Sequence, residues 1–155
     1  MNARAFHLIL VTLVLGACLN VNEPEEIPSD PATETYAPVT GVDISKMSKT
    51  ELGVYYKDVA VGDGAQLTQR RPVTITFVGY LRTGDIFDRA PSPRVYDLAS
   101  LGVIGVADGM IGMRIGGTRK LVIPSNLAFG ARGQPGLGVP SNSTVIYDIT
   151  LLELP

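Results

Sequence analysis

The sequence predicts an α+β domain in which a twisted antiparallel β-sheet wraps around one short α-helix. After Gly53, short apolar runs alternate with turns rich in Gly, Pro and Asp, and several runs place apolar residues at every second position, the period of half-buried strands. Only residues 101–113 show helical spacing. The chain length of 155 residues favours one folded domain, which we place at residues 53–155.

The first predicted strands follow Gly53. The run "GVYYKDVAVGDG" predicts a strand and then a turn. In "PVTITFVGYL", Val73, Ile75 and Phe77 alternate with threonines, which predicts a half-buried strand before the turn "RTGD". "IFDRA" begins another strand, and the prolines of "PSPR" interrupt it, because proline is confined to sheet edges and bulges.

Three further strands complete the predicted sheet. "VYDLAS" is a short one, and "RKLVIP" and "TVIYDITLLEL" are the last two. The final strand places four side chains on one face: Val145, Tyr147, Ile149 and Leu151.

The helix is predicted within "LGVIGVADGMIGM". Val103, Val106 and Met110 share one helical stripe, and Ile104 and Ile111 share another. Glycines weaken this helix, so packing rather than intrinsic propensity must hold it.

The N-terminus predicts export and a lipid anchor. Residues 1–17 have one basic residue, Arg4, and an apolar run from Leu8 to Leu15 that is too short to span a bilayer, as in a signal peptide. The tetrapeptide "LGAC" resembles the lipobox of bacterial lipoproteins, which implies a lipid on Cys18 and a membrane-anchored location in the cell envelope. In a host with two membranes, Leu19 favours the outer one. The alternative is an ordinary signal peptide followed by a cysteine.

Residues 18–52 are predicted to be an acidic, proline-rich tether. Within them, residues 19–45 contain six carboxylates, four prolines and no Lys or Arg. Such a stretch buries too little apolar surface to offset its ordering entropy, so we expect a disordered, extended segment.

Composition excludes several kinds of function. The only His is His7 and the only Cys is Cys18, and the chain has no Trp. The domain therefore has no Ser-His-Asp or Cys-His centre, no zinc site built on His or Cys, and no disulfide. We expect no cofactor and no metal. The net charge of −2 gives no basic footprint for nucleic acid.

Four motifs resemble one family in order and spacing: "VTITFVGYL", "TGDIFD", "VIGVADGMIGMRIGGTRKLVIP" and "LAFGARGQPGLGVPSNSTVIYDITLLEL". Together, over about Gly53–Leu154, they resemble the FKBP-type peptidyl-prolyl isomerases. The last motif contains a connection too long for an ordinary hairpin, and such loops are usually either functional or disordered. The resemblance implies a flap that curls over an apolar pocket, and a disordered loop is the alternative.

The same resemblance implies the site residues. The reaction is assigned to Phe87 and Asp88 (the "FD" pair), to Phe129, and to the backbone N–H of Ile104, which receives a ligand carbonyl. Contacts to the bound segment are assigned to six residues: Phe77, Val103, Val106, Leu137, Val139 and Tyr147. Core packing is the alternative for each apolar residue, and an ion pair with Arg89 or Arg94 is the alternative for Asp88.

The sequence also departs from the family pattern. The pocket floor, usually a large aromatic or Leu, is Val106, and one residue is missing between Ile104 and Gly105. Phe129 replaces a common Tyr, and Arg94 replaces an aromatic. We therefore expect a monomeric isomerase of reduced activity that acts on X–Pro bonds of exported proteins. Tight macrolide binding is in doubt. The alternatives are a lipid-tethered module that binds proline-containing segments without turnover, and a purely structural lipoprotein.

Overall fold

A computed structural model describes residues 27–155. Six antiparallel strands form one sheet in the order β1-β2-β5-β6-β3-β4, and the described part of the chain contains one α-helix. The elements are β1 (Ser48–Lys49), β2 (Tyr55–Ala60), β3 (Pro72–Leu81), β4 (Ile86–Asp97), α1 (Ile104–Met110), β5 (Thr118–Ile123) and β6 (Val145–Glu153). The predicted fold class is confirmed. No helix among residues 27–155 is long and apolar enough to cross a membrane.

The centre of the sheet is β6, which pairs with both β5 and β3. The face predicted for this strand is buried, with Val145, Tyr147, Ile149 and Leu151 between 0% and 5% exposed. Val106 and Met110 of α1 belong to the same apolar cluster. The core therefore lies between this sheet face and the helix.

Strand β4 is continuous where the sequence predicts two strands. It runs through Pro91 and Pro93 to Asp97. Two features allow this: β4 is the last strand at one edge, and the register with β3 shifts between Ile75 and Phe77, so that residues 91–93 oppose a single residue. An edge bulge tolerates prolines, which have no N–H to donate to a neighbouring strand. The predicted interruption at "PSPR" is therefore wrong.

Packing holds α1, as its glycines require. A Cβ atom at Gly105 would lie 2.2 Å from Ile123 Cγ2, and one at Gly109 would lie 2.6 Å from Leu121 Cδ2. Only glycine permits so close an approach between the helix and β5. Buried Arg119 of β5 also donates to the carbonyl oxygens of Gly109 and Ile111, which fixes the end of the helix.

Residues 27–40, here called the N-terminal strap, lie against the domain. The backbone N–H of Ser29 donates to Ser125 Oγ at 2.9 Å, and the backbone N–H of Ser125 donates to Ser29 Oγ at 2.8 Å. Thr144 Oγ1 donates to Glu34 Oε1 at 3.0 Å, and the N–H of Ala37 donates to the carbonyl of Arg82 at 2.8 Å. Polar side chains thus order a segment that buries little apolar surface.

The prediction of disorder is therefore wrong for residues 27–45. The 3₁₀ turn Pro38–Thr40 lies within this range, and the turn Ile44–Lys46 begins at its end. The predicted signal peptide, Cys18 and the start of the acidic segment lie outside the described residues.

Candidate active site

A small cavity of about 150 Å³ opens between α1, the sheet and the loop before β6. Most of its lining is apolar, and the oxygen-bearing side chains are those of one carboxylate and two tyrosines. The lining residues are Ile75, Phe77, Asp88, Tyr96, Leu101, Val103, Val106, Phe129, Leu137, Tyr147 and Ile149.

Seven of the ten residues predicted for the site line this cavity: Asp88, Phe129, Phe77, Val103, Val106, Leu137 and Tyr147. Sequence reasoning did not assign Ile75, Tyr96, Leu101 and Ile149, which line it as well. Two of these could have been found from the strand period. Ile149 shares the predicted inward face of its strand with Tyr147, and Ile75 shares the inward face of β3 with Phe77.

The other three predicted residues do not line the cavity. Phe87 is only 9% exposed and packs behind the wall, edge-on to Phe129 and Tyr147. Val139 is 2% exposed within the core cluster, because its N–H and carbonyl both bond to Gln134 and turn the side chain inward. The Ile104 side chain is 46% exposed, so only its backbone can serve the predicted role.

The Ile104 amide lies at the first turn of α1, where backbone N–H groups have no intrahelical acceptor. Within residues 27–155 we find no acceptor for this N–H. The amide therefore remains able to donate to a ligand.

Edge-to-face aromatic contacts form the cavity wall. The Phe77 ring lies 5.8 Å from Tyr96 and 5.6 Å from Tyr147, measured between ring centroids. Phe87 lies 5.5 Å from Tyr147 and 5.9 Å from Phe129. Each such pair adds about 0.5–1.5 kcal/mol beyond area burial. The rings therefore hold one another in place, and the wall is preorganised.

Asp88 is the one carboxylate on the cavity, and it is half-buried. The N–H of Arg89 donates to its Oδ1 at 2.7 Å. In the described part of the chain neither Arg89 nor Arg94 forms an ion pair with it. Asp88 thus presents carboxylate oxygen to an apolar cavity, and the ion-pair alternative has no support in the geometry.

The loop between β5 and β6 is ordered. It contains the 3₁₀ turns Ser125–Leu127, Gly130–Arg132 and Pro135–Leu137. Two backbone hydrogen bonds between Gln134 and Val139 close its tip into a small hairpin. This loop, here called the flap, brings Phe129 and Leu137 to the cavity, so the disordered alternative is wrong.

No group of three or more His, Cys, Asp or Glu residues within 27–155 could hold a metal ion. What the cavity offers is an apolar space large enough for a small ring, one carboxylate, two phenol hydroxyls and the Ile104 amide at its border.

Residues 64–152 match the family model of the FKBP-type peptidyl-prolyl cis-trans isomerases. Because this match covers more than half of the 155 residues, the chain belongs to that family.

Individual relatives agree with this assignment. The chain is 39% identical over 120 residues to the FK506-binding protein 4 of Gibberella zeae, a match that covers 76% of this chain and 23% of that protein. The chain spans about a quarter of the length of the first curated relatives that it matches.

Solved structures show the same fold. A peptidyl-prolyl cis-trans isomerase from Pseudomonas syringae superposes with a TM-score of 0.66 at 25% identity, covering 75% of this chain and 87% of that one. FkpA from Escherichia coli superposes with a TM-score of 0.63 at 32% identity, covering 69% of this chain and 50% of that one.

Proposed function

We propose that this chain is a peptidyl-prolyl cis–trans isomerase that binds X–Pro segments in the cavity described above. The observation that carries the proposal is the mostly apolar cavity of about 150 Å³ with Asp88 on its lining. Its size suits a proline ring, and its lining can take the adjoining amide out of water. Family membership over residues 64–152 supports the same reaction.

The chemistry needs only binding and environment. Rotation about an X–Pro bond faces a barrier of about 20 kcal/mol, which amide resonance sets, and no bond to another atom forms or breaks. A twisted amide has lost charge separation. A less polar surrounding therefore favours it relative to the planar form, and an apolar cavity lowers the barrier.

Individual residues take distinct parts in this proposal. Val106 and the Phe77 ring hold the proline ring, and Phe129 and Leu137 cover it from the flap. The Ile104 N–H donates to a carbonyl of the segment, and the Asp88 carboxylate lies beside the amide that rotates. Phe87 is a positioning residue, since it holds the rings of Phe129 and Tyr147.

Val106 and Phe129 reduce the expected activity. A valine floor offers less apolar surface to the proline ring than a large aromatic residue, which costs about 1–2 kcal/mol of binding. Phe129 has no hydroxyl to donate. These two departures favour one second candidate, a module that binds proline-containing segments with little turnover. The variant Phe129→Tyr distinguishes the two candidates. It should increase the isomerisation rate if the chain is an isomerase, and leave the rate unchanged if the chain only binds proline-containing segments.

The substrates in this proposal are exported proteins, and the domain acts as a monomer anchored at the cell envelope by a lipid on Cys18. The support is the tetrapeptide "LGAC" directly after the apolar run of residues 8–15. Labelling cells with a radioactive fatty acid tests the anchor: the parent should carry label in the membrane fraction, and Cys18→Ser should not. An unlabelled, soluble parent would contradict it.

Exchange NMR on a short X–Pro peptide tests the reaction. The full chain should accelerate cis–trans exchange, and Asp88→Asn should reduce this acceleration about tenfold or more, since it removes a charge next to the reacting amide. The exposed carboxylate Asp63 provides a matched control, and Asp63→Asn should leave the rate unchanged. Exchange at the uncatalysed rate in the presence of folded parent would refute the proposed function.

A further inference from the structure

The Tyr147 side chain is buried beside the cavity, and its hydroxyl has no hydrogen-bond partner among residues 27–155. The residue is 5% exposed and lines the cavity. Within residues 27–155 its hydroxyl neither donates nor accepts a hydrogen bond. The half-buried Tyr36, by comparison, donates its hydroxyl to the Pro31 carbonyl at 2.8 Å. The Tyr147 hydroxyl oxygen keeps accessible surface, so it is open to hydrogen bonding by a bound segment.

The surroundings define what this hydroxyl can do. Burial raises the pKa of Tyr147, and the nearby Asp88 carboxylate and Tyr96 raise it further. The hydroxyl therefore stays protonated at neutral pH and can donate a hydrogen bond. Asp88 when ionised can only accept, and its Oδ1 already accepts from the N–H of Arg89. The Tyr147 hydroxyl is thus a hydrogen-bond donor on the cavity that has no acceptor within residues 27–155.

An X–Pro segment supplies only one kind of main-chain partner at its centre. Proline has no N–H, so the groups on both sides of its ring are carbonyl oxygens. A donor on the carbonyl of the rotating amide would favour the planar form, because twisting withdraws charge from that oxygen. A carbonyl outside the rotating bond keeps its charge, and a hydrogen bond to it is equally strong in the planar and twisted states.

We propose that the Tyr147 hydroxyl donates a hydrogen bond to a main-chain carbonyl oxygen that lies next to the proline ring but outside the rotating amide. Tyr147 is then a specificity-determining residue, which selects segments whose main chain can accept at this point. This inference rests on the proposed function and adds the atom that receives the bound segment.

The variant Tyr147→Phe tests it, since only the oxygen is removed. In exchange NMR with the full chain, KM for an X–Pro peptide should rise about 3- to 10-fold, the range for one neutral hydrogen bond. The value of kcat should not change, because the bond is equally strong in both states. The thermal midpoint should stay the same or rise, because the hydroxyl has no partner in the free protein.

Tyr56→Phe is the matched control. This tyrosine packs beneath Arg119, with 4.6 Å from the guanidinium carbon to the ring centroid, and does not line the cavity. Its loss of a hydroxyl should leave KM unchanged.

Two results would overturn the inference: an unchanged KM in Tyr147→Phe, whether or not kcat falls, or a rise in KM accompanied by a lower thermal midpoint. A folded parent without turnover would refute the proposed function separately. In that case chemical-shift titration with the same peptide decides the inference. A dissociation constant 3- to 10-fold higher for Tyr147→Phe supports it, and an equal constant overturns it.

Discussion

Replacing Gly105 by Ala tests whether close packing between α1 and β5 fixes the helix beneath the cavity. The added Cβ would lie 2.2 Å from Ile123 Cγ2, with the Leu127 carbonyl oxygen 3.1 Å away. Carbon atoms prefer separations of about 3.5–4.0 Å, so the helix or Ile123 would have to move by roughly 1 Å or more. Ile123 is fully buried, and it has little room to move.

Two terms of opposite sign set the expected magnitude. Overpacking costs about 1–3 kcal/mol, and the severity of this contact places Gly105→Ala at the upper end. Alanine recovers about 1 kcal/mol through its higher helix propensity. We expect a net loss of about 2 kcal/mol in the free energy of unfolding.

Urea unfolding measures this loss directly. With a slope of about 2 kcal/mol per molar urea, the midpoint should fall by about 1 M. Gly102→Ala is the control, because nothing lies within 4 Å of a Cβ at that position, and its stability should stay within about 0.5 kcal/mol of the parent. Equal or greater stability of Gly105→Ala would refute the reasoning.

Three further expectations concern stability. Ser29→Ala removes the hydroxyl that joins the N-terminal strap to the base of the flap, and calorimetry should show a loss of about 1–3 kcal/mol. Asp58→Ala removes the carboxylate that bonds to the buried Arg119 guanidinium at 2.7 and 3.0 Å. It should lower the free energy of unfolding in urea by about 3–5 kcal/mol. Asp43→Ala, in an exposed ion pair, is the control and should not measurably change stability. The pKa of Tyr147 is raised in the folded state. The contribution of this group to the free energy of unfolding is therefore fully present below the unfolded pKa of about 10 and is lost as pH rises further. Urea midpoints should fall less steeply above about pH 10 in Tyr147→Phe than in the parent, and equal slopes would contradict this.

Local patterns predict most of the sheet and the helix. The alternation in "PVTITFVGYL" and "TVIYDITLLEL" identifies the central strands, because the side-chain period of a strand is written directly into the sequence. The sequence pattern does not predict that β4 is one continuous strand. This continuity depends on that strand lying at the edge and on a bulge opposite a single residue of β3, both of which are properties of the assembled sheet.

The N-terminal strap was missed for a similar reason. Its composition predicts disorder, whereas its order comes from hydrogen bonds between residues about one hundred positions apart, such as Ser29 and Ser125. Composition cannot show such pairing.

Family resemblance predicted seven of the residues that line the cavity, and the differences from the structure concern which way side chains point. Val139 lies on the flap but turns into the core, since its backbone pairs with Gln134. Tyr96 lies on the same face of β4 as Asp88, and the bulge, which adds two residues, places it opposite Val73 of β3 at the cavity.

The most direct test of the central claim, that X–Pro segments isomerise in this cavity, is amide chemical-shift mapping of the full chain during turnover of an X–Pro peptide. We expect the largest shifts and exchange broadening at Asp88, Val103, Ile104, Val106 and Phe129. Shifts confined to the separate cleft beside the strap, lined by residues 33–35, 81–83 and 140–144, would contradict the account, as would accelerated exchange that leaves the cavity amides unchanged.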